Sequence, residues 1–99
     1  MTEHIALKCH PNDNVAVIFA ENVKSGDNVR VIGKDGSIEK LVINSDIPYG
    51  HKLAVKEIRI GEPILKYGES IGAATKEIRV GDYVHVHNLD SQRARGDLQ

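Results

Sequence analysis

Three short stretches of this chain carry side chains able to do chemistry. The first is His85-Val86-His87. On a β-strand, residues two apart share a face at about 6.6 Å, so both imidazoles would point one way and Val84 and Val86 the other. Two histidines so spaced can share a metal ion only if further ligands arrive from elsewhere, with His51, Glu69 and Asp90 as candidates. The structural alternative is a valine stripe on the core, with both imidazoles facing solvent or a subunit interface. The second stretch is Gly50-His51-Lys52, which follows Ile47-Pro48-Tyr49. A rigid turn there would present an imidazole beside an ammonium, a pair suited to holding a carboxylate, with His51 as donor or proton carrier. Its alternative is a solvated Lys52 and a His51 that satisfies a backbone carbonyl. The third is Lys66-Tyr67-Gly68, a cation and a phenol beside a glycine, whose plainer reading is a strand end with Tyr67 half buried. Cys9-His10 fails as a nucleophile pair, because neighbours on a strand face opposite ways, and Cys9 is expected to be a small buried residue. Glycine-rich phosphate loops, serine nucleophile motifs and paired metal-binding cysteines are absent from the sequence.

The elements that must position these groups read as short strands. Lys56-Glu57-Ile58-Arg59-Ile60-Gly61-Glu62 returns as Lys76-Glu77-Ile78-Arg79-Val80-Gly81-Asp82, with a fainter copy at residues 22–29. The shared pattern is aliphatic, two residues, Gly, acid, any residue, aliphatic. Each copy is too short for an independent helix. It predicts a single helical turn or an extended corner, ended by a left-handed glycine and feeding a strand at Ile64 or Val84. Ile58 and Ile78 should anchor inward, with Arg59 and Arg79 outside. Ile5-Ala6-Leu7 and the apolar run 15–20 read as strands. Residues 29–32 should pair with 38–43 across Gly33-Lys34-Asp35-Gly36, since Asp-Gly between aliphatic runs is a hairpin signal. Residues 66–72 read as a short hairpin or tight loop. After Asn88 the chain turns polar, so residues 1–90 are expected to form one domain and 91–99 a flexible tail.

Ninety-nine residues bury roughly 60–65% of their unfolded surface, enough for a core but not for a roomy internal active site. A complete pocket is more easily built with a partner or between copies. Thirteen basic against fourteen acidic side chains give a net charge of −1, which removes any global pull toward nucleic acid or anionic membrane. One cysteine excludes a disulfide framework and suits a reducing compartment. With no basic-then-apolar leader and no apolar run near the roughly 18 residues that span a bilayer, a cytoplasmic domain is expected.

Three motif stretches in order, residues 46–54, 61–72 and 81–88, together resemble the SAF-type small domain of the altronate and galactarate dehydratases. The small subunit of sulfolactate sulfo-lyase is similar. The resemblance implies a mostly β, β-clip fold: small, pseudo-symmetric and strand-rich, with short hairpins and one-turn helical corners. It implies an accessory subunit of a hydroxy-acid lyase, inactive alone, that completes or caps the active site of a separate large subunit. Elimination of water or sulfite needs a base at the carbon α to the carboxylate, help for the leaving group, and cations on the carboxylate. By this resemblance His51 is the catalytic candidate and Lys52, Lys66 and Tyr67 bind the hydroxy-acid substrate. His85, His87 and Asn88 stand at the interface or pocket rim. No metal is expected in this chain, while a divalent metal, iron or manganese, is expected in the large subunit. The expected partners are that large subunit and its substrate, or further copies of the isolated chain, with no nucleic acid and no membrane. The alternative function is a non-catalytic β-clip module recognising a small acid or a protein. A third is a small metal-binding protein using His85 and His87.

Overall fold

The structure is a computed structural model, and it describes residues 4–91. Nine short strands run in the order β1 (His4–Lys8), β2 (Val15–Ile18), β3 (Asn28–Gly33), β4 (Ile38–Val42), β5 (Lys52–Ala54), β6 (Pro63–Lys66), β7 (Glu69–Ala74), β8 (Tyr83–Val84) and β9 (Leu89–Asp90). They form a six-stranded sheet, β4-β3-β1-β2-β5-β8, and a three-stranded sheet, β6-β7-β9. The strands read from the sequence are present within a residue or two, except that the second ends at Ile18 rather than residue 20 and the one at Val84 stops there instead of carrying His85 and His87. Beyond it Phe19 faces out, 45% exposed, against the exposed Tyr49 ring. The described residues include no helix long and apolar enough to cross a membrane. Of the tail expected at 91–99, residues 92–99 lie outside the described residues.

The repeats are the joints of this fold. Gly61 and Gly81 adopt φ of 88° and 93°, and Gly26 in the faint copy 93°. Arg59 O accepts from Glu62 N–H at 2.9 Å and Arg79 O from Asp82 N–H at 3.0 Å, each closing a four-residue turn whose third residue is the glycine. That is a type II turn, which needs positive φ at its third position, so the extended corner forms and the helical one does not. Ile58 and Ile78 are fully buried and exchange two backbone hydrogen bonds, Ile58 N–H to Ile78 O (2.9 Å) and the reverse (2.8 Å). Arg59 and Arg79 lie outside, as expected.

The structure also contains a fourth corner. Ile47-Pro48-Tyr49-Gly50-His51-Lys52-Leu53 has the same turn, with Gly50 at φ 83° and His51 N–H donating to Pro48 O at 3.1 Å. Ile47 bridges Val23 as Ile78 bridges Ile58. At every corner the glycine N–H donates to a carbonyl in or just past a strand, and the N–H of that same residue returns to the carbonyl of the residue after the glycine. These residues are Ile43 (one past β4), Ile18, Ala74 and Ala54 for the glycines at 26, 50, 61 and 81. The corners thus come as two pairs, and each pair anchors one core. Val23 and Ile47 lie in the cluster with Ile18, Val31, Ile43 and Leu53. Ile58 and Ile78 lie in the other, with Val15, Ala54, Ile64 and Val84.

The opposite face of the large sheet is open. Register aligns Ile5 and Leu7 with Arg30 and Ile32, and those with Lys40 and Ile38. Ile5, Leu7, Phe19, Ile38 and Val42 are all exposed there, although β1 and β3 run parallel. Parallel strands are seldom left uncovered on one face.

The corner glycines differ in what surrounds them. A methyl group on Gly61 would meet nothing within 4 Å, whereas one on Gly81 would run into the Val42 carbonyl oxygen. Gly61→Ala is therefore expected to cost roughly 1–2 kcal/mol, the price of a Cβ at left-handed φ. Gly81→Ala should cost distinctly more by urea unfolding, and equal losses would contradict the close approach at Gly81.

Candidate functional site

Three of the four corners spend the residue after their glycine on the turn itself. Asp27, Glu62 and Asp82 each accept a hydrogen bond from a backbone N–H of their own turn, of Lys24 (2.9 Å), Arg59 (2.8 Å) and Arg79 (2.8 Å). At the fourth corner that N–H is missing, because the residue there is Pro48. No acceptor is needed, and the position is occupied by His51. This corner escaped the sequence reading because its acid is gone. Allowing a non-acid after the glycine whenever proline follows the anchor would have found it.

His51 uses that freedom to reach Tyr83, which the sequence reading did not single out. Tyr83 Oη and His51 Nδ1 are 2.7 Å apart. The half-buried Tyr83 packs against the larger core from β8. His85 stacks on its ring at 5.6 Å with a 10° interplanar angle, and lies 5.0 Å from His51. The His87 ring is 5.4 Å from Tyr83. His51, Tyr83, His85 and His87 thus form one cluster.

The histidines do not arrive there as strand neighbours. β8 stops at Val84, and residues 85–88 turn back, so Val84 is buried while Val86 is 76% exposed. The expected valine stripe does not form. Asn88 is the cause: its side chain accepts from His85 N–H (2.9 Å) and donates to Tyr83 O (2.9 Å). These local bonds compete with the ladder and end the strand. Asn88 is 6% exposed and braces the turn, while also lining, with His87, Tyr83, Lys76 and Glu77, a polar cavity of about 230 Å³. Among the described residues no three His, Cys, Asp or Glu side chains are grouped to hold a metal ion, so the cluster does not fit one.

The lysines belong to a second locus. Lys52 pairs with Val17 and Val84, and Tyr83 with Leu53, so alternation sends Lys52 to the face opposite Tyr83 and its partner His51. The imidazole–ammonium pair expected from Gly50-His51-Lys52 therefore splits. Lys52 instead feels Lys66: burial first, and the Lys66 charge second, hold its ammonium below the usual lysine value. The Lys66 Nζ lies 5.3 Å from the centre of the Tyr67 ring.

Tyr67 and Gly68 form the two-residue turn between β6 and β7, with φ of 57° and 77°. A tyrosine is strained there, and Asp13 holds it: the fully buried carboxylate accepts from Tyr67 N–H (2.9 Å) and Gly68 N–H (2.8 Å). The loop before β2 also places the His10 ring against Gly68, where a methyl group would meet it at 3.0 Å. Cys9 is half buried rather than buried, and its hydrogen bond to the Tyr67 phenol, followed by its charge, pushes the phenol up. Cys9 and His10 lie past the end of β1, so strand alternation does not separate them. Asp13 was not singled out from the sequence, because its partners lie 54 and 55 residues away.

A pseudo-symmetric β module with one corner released for an imidazole, and two lysines beside a braced turn, defines a small all-strand fold. Its family follows from comparison with known proteins. The family model described as altronate/galactarate dehydratase SAF domain matches residues 4–92, and this chain belongs to that family, a β-clip domain. The chain is 34% identical over 84 residues to (2R)-sulfolactate sulfo-lyase subunit alpha of Chromohalobacter salexigens, covering 83% of this chain and 88% of that one. It is 40% identical over 63 residues to the subunit of the same name from Paracoccus pantotrophus, covering 64% and 94%. It is 37% identical over 82 residues to altronate dehydratase of Bacillus subtilis, but spans only 15% of that protein's length against 83% of its own.

The Lys52–Lys66 pairing has a measurable sign. With its folded-state pKa below the unfolded value, charged Lys52 costs stability at pH below the folded pKa, and the cost is relieved as pH rises through it. Lys66→Ala is expected to raise the Lys52 pKa toward 10.5 without reaching it, since burial, the larger cause, persists. An NMR titration of the Lys52 side chain checks this, and an unmoved pKa would contradict the pairing.

Proposed function

We propose that this chain is the small subunit of a cytoplasmic hydroxy-acid lyase, placing His51 at an active site completed by a larger partner. The observation that carries the reading is the fourth corner, where a position otherwise committed to the turn holds a histidine whose outer nitrogen makes no hydrogen bond among the described residues. The relatives give the reaction class: one branch is named for sulfo-lyase subunits and the other for dehydratases in which this domain is a small part of a longer chain. Both substrates are hydroxy-acid anions. Lys52 and Lys66 repel one another when empty, so a carboxylate or sulfonate between them relieves that repulsion, with Tyr67 as an added donor. His51 serves a substrate oxygen or moves a proton, and His85 and His87 line its approach.

The partner supplies what this chain lacks. A divalent metal, iron or manganese, would be held by the large subunit and would polarise the hydroxy acid there. The open sheet face, with Ile5, Leu7, Phe19, Ile38 and Val42 exposed among Arg30 and Lys40, gives that subunit an apolar surface to bury. The isolated chain would be inactive and could use the same face to self-associate.

The test is capture of the large chain from native extract on this one, followed by assay for metal-dependent release of water or sulfite from hydroxy acids. His51→Ala is expected to leave assembly intact and lower turnover by roughly 10²-fold or more. An undiminished rate would remove His51 from the site. A captured complex without elimination activity would leave a non-catalytic binding module.

A further inference from the structure

We infer that Tyr83 is a positioning residue that fixes His51 as the Nε2–H tautomer, so that His51 acts on a substrate oxygen as a donor and does not take the proton from carbon. This rests on the proposed lyase reading for its functional meaning, but the tautomer itself is a property of this chain alone.

Tyr83 Oη and His51 Nδ1 share a hydrogen bond of 2.7 Å, and a single proton lies between them. A phenol has an O–H to donate and a neutral imidazole has one nitrogen free to accept, so the Tyr83 O–H donates to Nδ1. The reverse arrangement, with Nδ1–H donating to Oη, would leave the phenolic O–H with no acceptor in the described chain, since Oη has no second partner among the described residues. A neutral imidazole that accepts at Nδ1 carries its hydrogen on Nε2. That nitrogen makes no bond within the described chain, so the group presented outward is an N–H.

The geometry is held on each side. His51 leaves a corner whose backbone is pinned by Gly50 N–H to Ile18 O and Ile18 N–H to His51 O, both 2.9 Å. Tyr83 is paired with Leu53 in the sheet, and His85 stacks on its ring. Asn88 fixes the backbone on either side of Val84 through Tyr83 O and His85 N–H. A ring so held cannot flip to exchange its nitrogens without breaking the Tyr83 bond. In an elimination, an outward N–H donates a hydrogen bond to the departing oxygen or to a carboxylate oxygen and keeps its proton, so both the acid for the leaving group and the base at carbon must come from the partner.

The test is long-range proton–nitrogen correlation NMR on the nitrogen-15-labelled chain at a pH where His51 is neutral. The wild-type spectrum should show a single Nε2–H tautomer for His51, with Nδ1 at the unprotonated shift. An Nδ1–H tautomer, or averaged nitrogen shifts, would overturn the proposal whatever any variant does. Tyr83→Phe keeps the ring and removes the hydroxyl, and should move both His51 nitrogens toward averaged values. A Tyr83→Phe chain that retains the pure Nε2–H tautomer would show that Tyr83 does not set it. Neither readout needs partner or substrate, so failure here leaves the subunit reading standing, and loss of that reading leaves the tautomer assignment intact.

Discussion

A tight turn with its third residue at positive φ is the constraint on which this molecule depends. Four glycines take that conformation at equivalent places, and each ties its corner to a strand by the same reciprocal pair of backbone hydrogen bonds. The aliphatic residue that opens each corner is buried, and the corners meet in pairs, Val23 with Ile47 and Ile58 with Ile78. Short strands of two to six residues have little cooperative strength of their own. Here the joints, more than the ladders, fix where each strand begins. Because a side chain at left-handed φ is strained, the glycines are the least replaceable part of the design.

The same joint explains where chemistry can enter. A type II turn exposes one backbone N–H that an acid two positions beyond its second residue can satisfy, and three corners use an acid in this way. Proline at the fourth removes the donor, so the acid becomes unnecessary and the site is open to another residue. Local rules tend to be broken where function has a use for the position. The strained Tyr67 is held in place by a buried carboxylate supplied from the distant loop before β2.

Much of this was legible in the sequence for identifiable reasons. The two strong repeats, their inward isoleucines and outward arginines, and the Asp35-Gly36 hairpin are local patterns, and all appear in the structure. Residues joined across long sequence separations were not legible. Asp13 clamps the β6–β7 turn from more than 50 residues away, and neither it nor Tyr83 had a motif to mark it. His85-Val86-His87 has a strand's alternation, but Asn88 captured its backbone and turned it. Lys52 and His51 are neighbours in sequence and lie on opposite faces because the strand begins between them. Resemblance to a family singled out the candidate residues, while only the fold divided them into an imidazole cluster and two lysines on another face.

The central claim is that position 51 has been released from the corner for use in the active site. The most direct measurement is turnover and thermal stability of the assembled complex carrying His51→Asp, which restores the acid found at the other corners. Unchanged stability and assembly with lost elimination activity is the result this account predicts. Full activity in that variant would mean that His51 is a turn residue like the acids it replaces.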